Sequence, residues 1–116
     1  MRRYVIVGAG VAGMSAAETL RRRDPSAEIM VVSEEPHEFY SRPGLAYLLS
    51  GEIPEKQLFP LSRAELRDLK LKWIKTSVTR MQPDAHTLAL ASGQSVTYDR
   101  LLLALGSTAV APDFPI

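Results

Sequence analysis

The sequence predicts an α/β fold: a Rossmann-like parallel sheet with a β-α-β start, followed by a three-stranded antiparallel meander. Three observations predict it. "RRYVIVGAGVAG" joins a continuous apolar run to a glycine-rich turn and then to an alanine-rich stretch. "EIMVVS" is a second continuous apolar run, and it ends in two acids. "SVTRMQ", "HTLALA" and "SVTYD" are short, β-favouring and separated by the turn signals "PDA" and "SGQ". Continuous apolar strands belong to parallel sheets covered on both faces, whereas short runs between turn residues belong to meanders.

Each element has its own reason. Tyr4, Val5, Ile6 and Val7 form the first buried strand. Glycines follow, and a helix is predicted over 11–23, with Ala12, Ala16 and Leu20 on one stripe and Ala17 widening it. Arg21, Arg22 and Arg23 suit the negative end of its dipole, and "DPS" ends it. Residues 28–33 make the second strand. "EEPHEFYSRP" reads as a polar loop. Residues 43–51 read as a short helix with Pro43 in its first turn and Gly51 past its end. "LSRAELRDLK" is another helix, with Ser62 as N-cap and Glu65 closing a capping box. "KLKWIK" sets Leu71 and Trp73 against lysines, with Ile74 breaking the alternation, and reads as a third parallel strand. The meander follows, and "RLLLALG" closes the pattern as another apolar strand over 101–105.

Composition bounds the function. A chain of 116 residues, 46 % hydrophobic and 23 % charged, suits one globular domain, taken as 1–116. A net charge of +1 gives no basic field for nucleic acid or anionic lipid. The absence of cysteine excludes a disulfide framework, a thiolate metal site and a redox dithiol within these residues. It agrees with a reducing, cytoplasmic setting. The apolar run before Gly8 is too short for a signal peptide, and no stretch reaches a membrane span. His37 and His86 are far apart and lack catalytic partners in sequence, so no catalytic residue and no metal site is nominated.

Gly8, Gly10 and Gly13 stand as G-x-G-x-x-G between a buried strand and a helix. Gly8 permits the tight turn. A Cβ at Gly10 would obstruct a pyrophosphate, and Gly13 lets the helix press on the strand. Val11 and Ala12 open the helix, whose N–H groups then point at the phosphates. Glu34 stands just past the second strand, the place for a carboxylate that accepts hydrogen bonds from ribose hydroxyls. No arginine directly follows that strand, so the ligand is NAD or FAD rather than NADP.

Three stretches together resemble the FAD-binding segment of the pyridine nucleotide–disulfide oxidoreductase superfamily, in its ferredoxin-, rubredoxin- and nitrite-reductase-like branch. They are "VIVGAGVAG" with Glu34, "FYSRPGLAYLLSG", and "SGQSVTYDRLLLALGSTAVAP". The resemblance runs the length of the chain. It implies FAD as cofactor, NAD(P)H as co-substrate in a domain not present here, and an electron-acceptor protein of iron–sulfur or rubredoxin type. It implies that Arg42 contacts the pyrophosphate, that Val78 meets adenine through its backbone, and that Ala104 and Gly106 pass close to the cofactor. It also implies that the meander is the crossover, that the last strand lies beside the first, and that the chain is the first segment of an incomplete FAD domain, inert by itself. On that topology the edge strand 101–105 is exposed and open to self-association. One departure is Leu105, which takes the place of a family threonine. Another is the lack of a cysteine near "SRPG", which removes a sulfenic-acid or disulfide cycle. Two alternatives stay open: a standalone NAD-binding module, and a non-enzymatic interaction domain that kept the fold.

Overall fold

The computed structural model describes residues 1–35, 39–41 and 43–107. Strands β1 (Arg3–Val7), β2 (Glu28–Ser33), β3 (Leu71–Lys75) and β7 (Arg100–Leu103) form one sheet in the order β3-β2-β1-β7. All three of its pairings are parallel, with Val7 opposite both Val32 and Leu103. Strands β4 (Val78–Gln82), β5 (Thr87–Leu90) and β6 (Ser95–Thr97) form the antiparallel meander. It is the connection between β3 and β7, and β7 pairs with β1, as the resemblance implied.

Strand alternation divides the core into two layers. Val5, Val7, Met30 and Val32 meet Leu88, Leu90 and Val96 of the meander. Ile6, Ile29 and Val31 point the other way, onto Ala17 and Ala27. The parallel sheet is therefore sandwiched between helix α1 (Val11–Arg23) and the meander. A strand covered on both faces must be apolar at every position, which is why β1 and β2 read as unbroken apolar runs. The same geometry explains Ile74. It packs on the meander side, while Leu71 and Trp73 pack on the helix side.

The two remaining helices are short. α2 spans Gly44–Leu49, and Pro43 holds its N-cap position. α3 spans Arg63–Leu69, and its capping box is complete: Ser62 Oγ accepts from Glu65 N at 3.1 Å and Glu65 Oε1 accepts from Ser62 N at 3.3 Å. Reciprocal capping of this kind satisfies two amides that helix geometry leaves without partners. A 3-10 turn over Glu55–Leu58 has no counterpart in the sequence reading. It buries Leu58, whose carbonyl accepts from Ser41 N at 2.7 Å.

Two expectations are corrected. The buried face of α1 is Gly13, Met14 and Ala17, with Ala16 and Leu20 half-buried at its side, while Ala12 is exposed. Close contact between Gly13 and the backbone of Gly8 fixes the helix rotation and turns position 12 outward. The last strand ends at Leu103 rather than at residue 105. Ala104 N still donates to Val7 O at 2.8 Å, and the chain then leaves the sheet. Arg21 stands in the last turn of α1, as read, and it is also a clamp. Its guanidinium donates to the carbonyls of Leu69 (2.7 Å), Pro25 (3.0 Å), Ala27 (2.7 Å) and Lys70 (3.1 Å). It ties the end of α1 to the segments that lead into β2 and β3.

Candidate dinucleotide site

The parallel register brings the carboxyl ends of β1, β2 and β7 to one edge. Gly8 N donates to Val32 O at 2.9 Å and Ala104 N to Val7 O at 2.8 Å. The glycine loop, Glu34 and the segment 104–106 therefore leave the sheet side by side. Ligands of open α/β sheets bind at this edge, where connections diverge to opposite faces. α1 leaves the carboxyl end of β1 for the helix face, and β3 leads from its carboxyl end into the meander on the other face.

The three loop glycines differ in why they are glycine. Gly8 has φ +112°, and a Cβ there would collide with the carbonyl oxygen of Ala104. A Cβ on Gly13 would collide with the carbonyl oxygen of Gly8 and crowd Ile6 Cγ2 at 3.2 Å. Both are required by packing within the chain. Gly10 is not. Its φ of −79° and ψ of −167° suit any residue, and a Cβ there would meet nothing within 4 Å. The fold leaves open space in front of Gly10, at the mouth of α1.

That mouth is electrostatically prepared for an anion. Gly10 supplies no side-chain cap, and the first turn of α1 has no acidic residue. Gly10 O accepts from Met14 N at 3.0 Å, so the helix begins directly at the loop. Its opening amides, at Val11, Ala12 and Gly13, and its dipole offer partial positive charge. Val11 stands 71 % exposed beside this space. Its exposure was not visible in the sequence, where it counts as one more apolar helix residue.

Glu34 lies immediately past β2 and is exposed. It is on the same edge as the glycine loop, one strand away. Ala104 is half-buried, and its carbonyl abuts Gly8. Gly106 (φ +68°) faces open space. Val78 opens β4 just beyond the carboxyl end of β3, with its side chain packed into the meander layer. Trp73 belongs to the helix-side layer rather than to the edge. Arg42 and His37 lie outside the described residues. Among the described residues no cluster of three or more metal-ligating side chains occurs, and no helix is long and apolar enough to cross a membrane.

The family model for pyridine nucleotide-disulphide oxidoreductases matches residues 2–115. The chain belongs to that family. Among its relatives, the ferredoxin--NAD(+) reductase component of the 3-phenylpropionate/cinnamic acid dioxygenase of Photorhabdus laumondii is 36 % identical over 108 residues, which is 91 % of this chain and 27 % of the relative. The rubredoxin-NAD(+) reductase of Acinetobacter baylyi is 32 % identical over 113 residues, 92 % of this chain and 28 % of that one. The reductase in the crystal structure of a covalent putidaredoxin reductase–putidaredoxin complex superposes with a TM-score of 0.90 at 26 % identity, covering 97 % of this chain and 27 % of that one. The chain thus spans about a quarter of the length of the relatives it matches. Reductases of this family use FAD with NAD(P)H as co-substrate. The residues here fit such a dinucleotide on one structural ground: the space at Gly10 is a cradle that a Cβ would fill, set against uncapped helix amides.

Proposed function

We propose that this chain holds the adenosine and pyrophosphate of FAD at the carboxyl edge of its parallel sheet, as part of an NAD(P)H-dependent flavoprotein reductase. Gly10 carries the reading. It is the one loop glycine that the chain's own packing does not require, and it opens the space in front of the α1 amides. Val11, Ala12 and Gly13 bind the pyrophosphate through their N–H groups, and Glu34 accepts hydrogen bonds from the adenosine ribose. Gly8 and Gly13 keep loop and helix close enough to the sheet for both contacts to be made by one ligand. Arg42, the backbone of Val78, Ala104 and Gly106 complete the FAD contacts in this reading. When bound, the flavin supplies hydride acceptance and electron release; the protein orients it.

The reductase passes its electrons to a separate iron–sulfur or rubredoxin-type protein. The names of the relatives support this, since they are ferredoxin and rubredoxin reductases. The lack of cysteine supports it further, because no thiol in these residues can relay electrons. It also supports a reducing, cytoplasmic setting. The open apolar edge of β7 supports contact between copies through residues 101–105.

Titration calorimetry with ADP and FAD tests the reading. The two are expected to bind alike, because the residues gathered here touch the half they share. Gly10→Val is expected to abolish both while leaving the circular dichroism spectrum unchanged. Glu34→Ala is expected to weaken both by about 1–3 kcal/mol, the scale for hydrogen bonds to a charged acceptor. Normal ADP binding by Gly10→Val would show that the pyrophosphate does not sit at this loop.

A further inference from the structure

β2 carries an irregularity that neither packing nor strand propensity accounts for. Its helix-side row runs Ile29, Val31, Ser33. The first two are fully buried and apolar. The third is a serine with only 7 % exposure, the one polar residue among the buried described residues. A hydroxyl taken out of water is destabilising unless it finds a partner, and an apolar residue would continue the row without that cost. The partner is local. Ser33 Oγ accepts from Glu35 N at 3.2 Å.

This bond spans the residue between. Ser33 is held in the ladder, opposite Lys75 of β3. Glu35 N lies past the end of the strand. The hydroxyl closes the chain into a turn directly around Glu34, and side-chain turns of this type fix the backbone at the residue they enclose. Burial strengthens the effect, because the serine rotamer is set by the packed layer under it rather than by solvent.

We propose that Ser33 is a positioning residue for the ribose-binding carboxylate: its buried hydroxyl, by capturing Glu35 N–H, sets the direction in which Glu34 leaves the sheet. The proposal rests on the reading of Glu34 given above. Ser33 itself touches no ligand. Its role is to reduce the number of directions open to the Glu34 carboxylate, so that hydrogen bonds to a ribose hydroxyl form without first ordering the chain.

The test compares three probes on the full chain: ADP, 2′-deoxy-ADP and inorganic pyrophosphate. The informative quantity is the ratio of the affinities for ADP and 2′-deoxy-ADP, because it isolates the ribose hydroxyl. Ser33→Ala is expected to shrink that ratio by roughly three- to tenfold, the range for one hydrogen bond, and to leave pyrophosphate affinity unchanged. Ser33→Thr, which retains the hydroxyl, is expected to restore the ratio. A general weakening of the fold would lower pyrophosphate affinity as well, so it gives a different pattern. Glu34→Gln separates the proposal from the reading beneath it. If Glu34→Gln collapses the ratio and Ser33→Ala does not, the positioning role is wrong and the ribose role stands. If neither variant moves the ratio, both are wrong.

Discussion

The two edges of the parallel sheet are built differently. β3 ends the sheet on one side, and it carries Lys72 and Lys75, both exposed. By register Lys72 lies opposite Met30 and Lys75 opposite Ser33, so one lysine stands on each face. β7 ends the sheet on the other side and has no charge after Arg100. Leu102 is 40 % exposed, Leu103 49 %, and Leu105, just beyond, 68 %. Their partners Ile6 and Val7 are buried, so each exposed leucine continues a buried row outward. Lysine on an edge blocks pairing with another strand, whereas an apolar edge invites it. The β3 edge carries a charge on each face, and the β7 edge carries none beyond Arg100.

The anchoring of the two edges differs as well. β7 is fixed at both ends. Asp99 N donates to Arg3 O at 2.9 Å and Arg3 N to Asp99 Oδ2 at 2.7 Å before the strand, and Ala104 N bonds Val7 O after it. Its carbonyl at Ala104 is packed against Gly8. β3 is fixed at its start by the Arg21 guanidinium, through the carbonyls of Leu69 and Lys70.

The largest expected effect comes from breaking the β7 anchor. Gly8→Ala puts a Cβ into the Ala104 carbonyl at a backbone conformation that favours glycine. Urea denaturation is expected to show a loss of about 3 kcal/mol or more, a size reserved for such strained positions. Next is the β3 anchor. Arg21→Met keeps the apolar stem of the side chain and removes four hydrogen bonds. A loss of about 1–3 kcal/mol is expected, since the guanidinium is only partly buried and water replaces some of its bonds. Equal losses at the two sites would mean that the edges are not anchored differently.

Smaller effects sharpen the contrast in surface chemistry. Leu105→Lys should leave stability within about 0.5 kcal/mol, as surface changes do. It should weaken association between copies by about tenfold, the equivalent of one apolar side chain lost from a contact. Light scattering across a concentration series checks this, and a wild-type chain that stays monomeric at high concentration would rule the contact out. Smallest is Lys72→Leu, which removes the charge from one face of the β3 edge. It should raise association only slightly, because Lys75 still guards the other face.

Much of the fold was legible in local patterns. The order of strands and helices followed from apolar periodicity and turn residues. The capping box at Ser62 and Glu65 was read directly, because the residues that form it lie three apart. Most of the candidate site lies within local patterns for the same reason: the glycine loop, the helix that starts at it and Glu34 all belong to one β-α-β unit. On α1, Ala16, Ala17 and Leu20 pack on the core as read, but Ala12 is exposed and Gly13 and Met14 are buried in its stead. Periodicity gives the spacing of a stripe but not its phase, and the phase was set by the contact of Gly13 on Gly8. Ser33 went unnoticed since a serine at a strand end is ordinary until its burial is known.

The sequence by itself determined what each segment forms and which chemistry is absent: strands and helices in order, a glycine turn opening a helix, an acid after the second strand, no thiol. These depend on backbone preferences and side-chain types acting over a few residues. The tertiary structure alone decided that Gly8 meets Ala104, that Arg3 meets Asp99 across 96 residues, that Arg21 gathers four carbonyls, and that the open space lies at Gly10 rather than at its neighbours. Those outcomes depend on how a helix, a sheet and a meander stack. Stacking is set by excluded volume and hydrogen-bond satisfaction between segments far apart in the chain, which no local pattern encodes.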